Sequence, residues 1–170
     1  RDLLPELQVV IDPVIGDEDV GVYVDPRMIE AHGAHLLPLA DGLVPNGFEL
    51  GVLTGRPVAD TAQVVEAARS LLMGRTRWGV VTSAAPEAWD AGGMQVVVVE
   101  RDREEVIAHR RLDTTPKGTG DLFSATLAAH VLRGSPVADA ARLGCERVLA
   151  VLEASRRAGC AEMLVFPDPA

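Results

Sequence analysis

"DGLVPNGFELGVLTGRPVADTAQVVEAARSLLMGRTRWGVVTSA", residues 41–84, is the stretch from which the fold is read. Its first residues form a short apolar strand that ends at Pro45. Asn46 then caps a helix that Gly55 closes. "DTAQVVEAARSLLMG" repeats the pattern with stronger periodicity, placing Val64, Ala67, Ala68, Leu71 and Leu72 on one stripe. "WGVVTSA" returns to a valine-rich run of strand length. Strands alternating with helices predict an α/β layer architecture with a substantially parallel sheet.

The same alternation extends both ways. Upstream, "LQVVID" (Leu7 to Asp12) predicts a strand stopped by Pro13 that delivers Asp12 at its end, followed by the loop "PVIGDEDVG". "DPRMIEAHGAHLLPLA" then predicts a helix with an Asp cap, Pro at its first position and apolar Met28, Ile29, Leu36 and Leu37, although Gly33 weakens it. Downstream, "MQVVVVE" and "VIAHRR" predict two strands pairing as a hairpin, between turns built on Pro86, Gly92, Gly93 and "RDREE". Two helices follow, "DLFSATLAAHVLRG" and "VADAARLGCERVLAVLEASRRAG", and "EMLVF" predicts a closing strand. No repeat or linker interrupts residues 1–170, which read as a single domain.

Composition bounds the chemistry. A chain of 170 residues with 48% hydrophobic and 24% charged residues can bury a full core. Its formal net charge of -9, with no cluster of Lys and Arg to offset it, disfavours nucleic acid as a partner. Acidic proteins still bind nucleotides where backbone amides, metal ions or a local cation neutralise the phosphates. Cys145 and Cys160 lack metal-type spacing and read as reduced thiols. No apolar run reaches membrane-spanning length, and "RDLLPELQ" has no secretory apolar stretch, so no membrane is expected and the expected setting is cytoplasmic. The start on Arg1, almost directly before a buried-looking strand, suggests polypeptide missing upstream.

Ligands of open α/β sheets collect beyond the carboxyl ends of the strands. Four segments lie where that edge is expected. In "KGTGDLF", Gly118 and Gly120 permit a tight turn, and the amides opening the next helix point toward an anion. Asp121 at that helix start can accept a proton from an alcohol attacking a phosphoryl group; the plain alternative is a helix cap. In "IDPVIGDEDVGVYV", Asp12 and Asp17 are hard oxygen donors suited to a metal ion, or simply a solvated acidic loop. In "PNGFE", Asn46 and Glu49 share one helix face near its positive end, either anchoring water around magnesium or forming a capping box, the preferred reading. In "VVTSA", Thr82 and Ser83 offer hydroxyls to phosphate or a monovalent cation, or to ordinary loop hydrogen bonds.

In this order, "DPVIGD", "YV", "PNGFEL", "LTG", "VVTSA" and "KGTGDLF" resemble the ribokinase superfamily, and within it the vitamin B6 kinases. The resemblance runs through nearly all 170 residues. It implies a ribokinase-like fold, a central mostly parallel sheet flanked by helices in three layers, and the ATP-binding C-terminal part of such a kinase without the segment that normally precedes "VVIDPV". The implied activity is phosphorylation of the 5'-hydroxymethyl group of pyridoxal, pyridoxine or pyridoxamine. By the resemblance Asp121 is the base, and the amides of Gly118, Thr119 and Gly120 stabilise the transferring phosphoryl charge. Asp12, Tyr23, Asn46, Thr82, Ser83 and Lys117 then handle ATP, while Asp12, Asp17 and Glu49 handle Mg2+. A monovalent cation, K+ or Na+, and a homodimer are also implied. One departure bears on the monovalent cation: Val44 stands where many relatives have threonine, and valine offers no oxygen.

Two alternatives accompany this reading. Hydroxymethylpyrimidine kinases share the GxGD turn, although they often carry Cys-Gly where this chain has Thr119-Gly120. A non-catalytic protein holding nucleotide or pyridoxal phosphate is the rival from another class, because much of the vitamin pocket lies upstream. His32, His35, His109 and His130 fall outside the quoted segments and read as structural or surface residues.

Overall fold

A computed structural model describes residues 7–113 and 116–165. The chain divides into two compact units, one through Ala108 and one from His109.

The main sheet has five strands in the order β1 (Val10–Ile11), β4 (Gly42–Leu43), β5 (Trp78–Val81), β6 (Gly93–Glu100), β7 (Glu104–Arg110), and all but the last two residues of β7 belong to the first unit. β1, β4 and β5 run parallel, pairing Val10 with Gly42 and Gly42 with Trp78, while β6 lies antiparallel to β5. "LQVVID" is a strand only at its centre. Asp41 has replaced a strand partner at the near end, accepting the Val9 amide at 2.9 Å, and Pro13 cannot donate at the far end. A second, two-stranded sheet, β2 (Gly16–Asp17) with β3 (Gly21–Val22), occupies the segment read as loop.

The helical readings meet different outcomes. α2 (Gly47–Thr54) starts at Asn46 and stops at Gly55, which takes the left-handed conformation at φ 65°. α3 (Thr61–Leu71) is capped by Asp60, and Val64, Ala67 and Ala68 of its apolar stripe are buried. They meet Leu50, Val81, Val97 and Val99 in one core cluster, against which Leu71 and Leu72 pack from its margin. The predicted helix from Pro26 breaks instead. Asp25 caps α1 (Pro26–Ala31), which widens to a π-helical turn over His32–Leu36 and tightens to a 3-10 turn over Leu37–Leu39. Gly33 is a poor helix former and Pro38 has no amide to bond, so the regular hydrogen-bond ladder does not run through.

The second unit is a helix pair, α4 (Thr119–Leu132) and α5 (Val137–Arg157), joined across Gly134, Ser135 and Pro136. Phe123 of α4 packs so closely on Gly144 of α5 that a Cβ there would sit 2.8 Å from its ring. The predicted closing strand is absent from the described part of "EMLVF", residues 162–165. The Leu164 amide donates to the Ser155 hydroxyl at 2.8 Å, a side-chain partner in place of a strand. Phe166 lies outside the described residues.

Candidate functional site

Because β1, β4 and β5 are parallel, their carboxyl ends share one edge of the sheet, and that edge carries Asp12, Asn46 and Thr82. Asn46 and Thr82 are directly paired: the Thr82 amide donates to the Pro45 carbonyl at 3.0 Å, and the Gly47 amide donates to that of Thr82 at 2.9 Å. This approach needs glycine at 47, where a Cβ would stand 2.9 Å from the Ser83 carbonyl oxygen. Ser83 is exposed and itself left-handed, at φ 47°.

Asn46 and Glu49 form the capping box that the spacing suggested. The Glu49 amide donates to Asn46 Oδ1 at 2.8 Å, and the Asn46 amide donates to Glu49 Oε2 at 2.9 Å. The network also reaches beyond the helix. Glu49 Oε1 accepts the Ile15 amide at 2.7 Å and the Gly16 amide at 3.5 Å, while Asn46 Nδ2 donates to the Gly16 carbonyl at 2.8 Å. Glu49 is only 3% exposed. Burial raises its carboxyl above the ordinary value and the nearby Asp12 charge pushes the same way, against the lowering effect of the three amides.

The β2–β3 hairpin holds Asp17 and leads into Tyr23. Asp17 Oδ1 accepts the Val20 amide at 2.8 Å, and the Tyr23 amide donates to the Ile15 carbonyl at 3.1 Å. Tyr23 is half exposed and Asp17 half-buried. Asp12 and Asp17 are therefore hard oxygen donors in part-exposed positions, which fits a nucleotide-borne magnesium ion. Glu49 fits it poorly as a ligand, since both oxygens already face backbone donors and almost no surface remains. Among the described residues no group of three His, Cys, Asp or Glu side chains is placed to hold a metal ion by itself. Val44 is buried, with its amide on the Ile11 carbonyl at 2.8 Å.

In the second unit Gly118 stands at the N-cap of α4 with φ 89° and no side-chain cap. The first intrahelical bond is Leu122 amide to Gly118 carbonyl, 3.0 Å, so the amides of Thr119, Gly120 and Asp121 have no acceptor within the helix. Asp121 is exposed in that first turn, and its Oδ2 lies 3.7 Å from where a Gly118 Cβ would be. The carboxylate thus folds back over the glycine bend, beside helix-start donors suited to an anion. Lys117 is exposed next to it.

Sequence reasoning missed Gly16 and Gly47. A Cβ on Gly16 would meet the Gly21 carbonyl oxygen at 2.5 Å and Phe48 Cε1 at 2.7 Å, contacts made by residues distant in sequence. Only the "IGD" and "PNG" glycines themselves hinted at such crowding.

A family model described as phosphomethylpyrimidine kinase matches residues 3–165. The pyridoxine/pyridoxal/pyridoxamine kinase of Bordetella bronchiseptica is 55% identical over 161 residues, covering 95% of this chain and 57% of that protein. Among solved structures, pyridoxal kinase from Leishmania donovani in complex with ADP and pyridoxine is 26% identical with a TM-score of 0.81, over 92% of this chain and 55% of that one. A putative phosphomethylpyrimidine kinase from Bacteroides thetaiotaomicron is 25% identical with a TM-score of 0.79, over 90% and 54%. The chain therefore spans somewhat over half the length of the relatives it matches.

Proposed function

The chain belongs to the phosphomethylpyrimidine kinase family, and on that premise we propose that it is the nucleotide-handling part of a vitamin B6 kinase. The reaction is transfer of the terminal phosphoryl group of ATP to the hydroxymethyl oxygen of pyridoxal, pyridoxine or pyridoxamine. One observation supports the reading: Asp121 stands in the first turn of α4 with its Oδ2 3.7 Å from where a Cβ on the left-handed Gly118 would be, in the same turn as amides that have no acceptor within the helix. Phosphoryl transfer depends chiefly on positioning and charge neutralisation, and this turn supplies both a base and anion donors.

In the proposed step Asp121 takes the proton of the substrate alcohol. The alcohol oxygen forms a bond to the terminal phosphorus, the bond from that phosphorus to the bridging oxygen breaks, and ADP leaves. The amides from Gly118 through Gly120 stabilise the oxygens of the moving group, and Lys117 adds a local positive charge. Asn46, Thr82, Ser83 and Tyr23 bind the nucleotide, with Asp12 and Asp17 facing its magnesium and Glu49 supporting them. Magnesium neutralises phosphate charge when it is bound. The family resemblance further supports a homodimer. No helix among the described residues is long and apolar enough to cross a membrane.

The family's description and the Bacteroides neighbour favour a second reading, a hydroxymethylpyrimidine acceptor. An ADP-release assay with the three B6 forms and hydroxymethylpyrimidine separates the two. ATP binding without ADP release on any acceptor identifies a binder instead. Asp121→Ala should lower kcat by about 10²–10⁴-fold with little change in ATP affinity, and undiminished turnover would remove Asp121 from its role.

A further inference from the structure

We propose that Glu49 is a positioning residue whose carboxylate bolts the 15–23 hairpin, bearing Asp17 and Tyr23, onto the start of α2. The inference rests on the kinase reading for what Asp17 and Tyr23 do, but the bolt itself is written in the contacts of the first unit.

Four observations converge on it. Glu49 spans two elements with one side chain: Oε2 takes the Asn46 amide at 2.9 Å and Oε1 takes the Ile15 amide at 2.7 Å, 34 residues away in sequence. Asn46 adds a second tie in the opposite sense, donating a hydrogen bond from Nδ2 to the Gly16 carbonyl at 2.8 Å. Phe48, between them in sequence, sits so close to Gly16 that no side chain fits there. Finally, Glu49 is 3% exposed, so its oxygens serve the protein's own amides and leave scarcely any surface for an ion. A short two-stranded hairpin is marginal on its own. Charge-assisted bonds from a buried carboxylate are among the strongest local means of fixing one.

Glutamine at this position keeps the shape but replaces one acceptor oxygen by an NH2 group, which must face a backbone donor. Amide hydrogen exchange on the full chain, without nucleotide or metal, reads the bolt directly. In Glu49→Gln, protection at Ile15 and Gly16 should fall roughly 10- to 100-fold, in line with the loss of a hydrogen bond to a charged group. Gly16→Ala breaks the same junction from the other side, and its methyl should lower protection of the Ile15 amide similarly. ATP and Mg2+ titrations of turnover supply the second readout. The two variants should raise the half-saturating ATP and Mg2+ concentrations alike, and the double variant should be no worse than the worse single one.

Unchanged exchange at Ile15 in Glu49→Gln would overturn the proposal. So would a raised Mg2+ requirement in Glu49→Gln that Gly16→Ala does not share, because Glu49 would then act on the ion itself. If Glu49→Gln fails to fold, Gly16→Ala decides alone: intact protection at Ile15 overturns the proposal and lost protection supports it. If the wild type turns over none of the acceptors, the kinase reading fails while the exchange measurement still decides whether the bolt exists.

Discussion

Two glycines separated by one residue should respond to the same substitution with opposite signs. Gly118 has φ 89° and ψ 7°, a conformation that costs a residue with a Cβ roughly 1–2 kcal/mol. Alanine regains about 0.4–1 kcal/mol by restricting the unfolded chain. Its new methyl would stand 3.1 Å from Met163 Cε, the flexible end of a side chain that can yield. Gly118→Ala should therefore cost about 1 kcal/mol net, a fall in urea midpoint of roughly 0.5 M for a slope near 2 kcal/mol/M. Gly120 lies within the first turn of α4, has no positive φ, and a Cβ there would meet nothing within 4 Å. Gly120→Ala should stabilise by about 0.5–1 kcal/mol through helix propensity. Urea unfolding followed by circular dichroism measures both. A Gly118→Ala midpoint at or above wild type would refute the argument from backbone strain. Activity adds a second test: if phosphate oxygens approach Gly120 closely, Gly120→Ala should lose turnover while gaining stability.

Burial pushes the Cys145 thiol up to about 11, whereas Cys160 is exposed. A disulfide reagent near neutral pH should therefore label one thiol quickly in the native chain and the second only in denaturant; rapid labelling of two would contradict the packing. A Cβ on Gly42 would collide with the Trp78 ring, so Gly42→Ala should destabilise by about 1–3 kcal/mol and change the tryptophan emission, and an unaltered spectrum would argue against that packing. The Glu49 carboxyl is raised from 4.5, so the folded chain binds its proton more tightly than the unfolded one. Its contribution to stability is whole below the unfolded value and declines as pH rises through the folded one. The stability margin of wild type over Glu49→Gln, from urea unfolding across that range, should narrow with rising pH; a widening margin would reverse the assigned direction.

What the sequence disclosed was chiefly what is local. Asn46, Glu49 and Gly55 bounded α2 because capping chemistry is settled within a few residues, and the Val64, Ala67, Ala68 stripe identified the buried face of α3. The GTGD turn was legible for the same reason, since glycine tolerates the left-handed conformation found at 118. What escaped was settled by distant partners. "EMLVF" has the composition of a strand, but Leu164 finds the hydroxyl of Ser155. "PVIGDEDVG" has the composition of a loop, yet Gly16 and Asp17 pair with Val22 and Gly21 because Glu49 and Asn46 hold them at one place. No periodicity records a contact between residues 15 and 49.

The same junction accounts for an oddity of the backbone. Val14, Ser83 and Ala85 have positive φ without being glycine, and for a β-branched residue such as Val14 this is a true outlier. All three sit in the loops that follow β1 and β5, beyond the carboxyl ends of parallel strands. Strained residues persist only where their surroundings over-determine them, at a cost of order 1–3 kcal/mol each. Here the surroundings can be named. Val14 is held between buried Pro13 and Ile15, whose amide is fixed by Glu49. Ser83 has its carbonyl against Gly47, and Ala85 follows Ala84, whose amide and carbonyl bond to Gln95 and to the Trp89 ring nitrogen. Where a left-handed residue adjoins a right-handed one, successive amides turn toward a common side, the arrangement that makes a concave seat for an anion. The start of α2 therefore does more than begin a helix, because the loop after β1 is anchored there through Glu49 and the loop after β5 through Gly47.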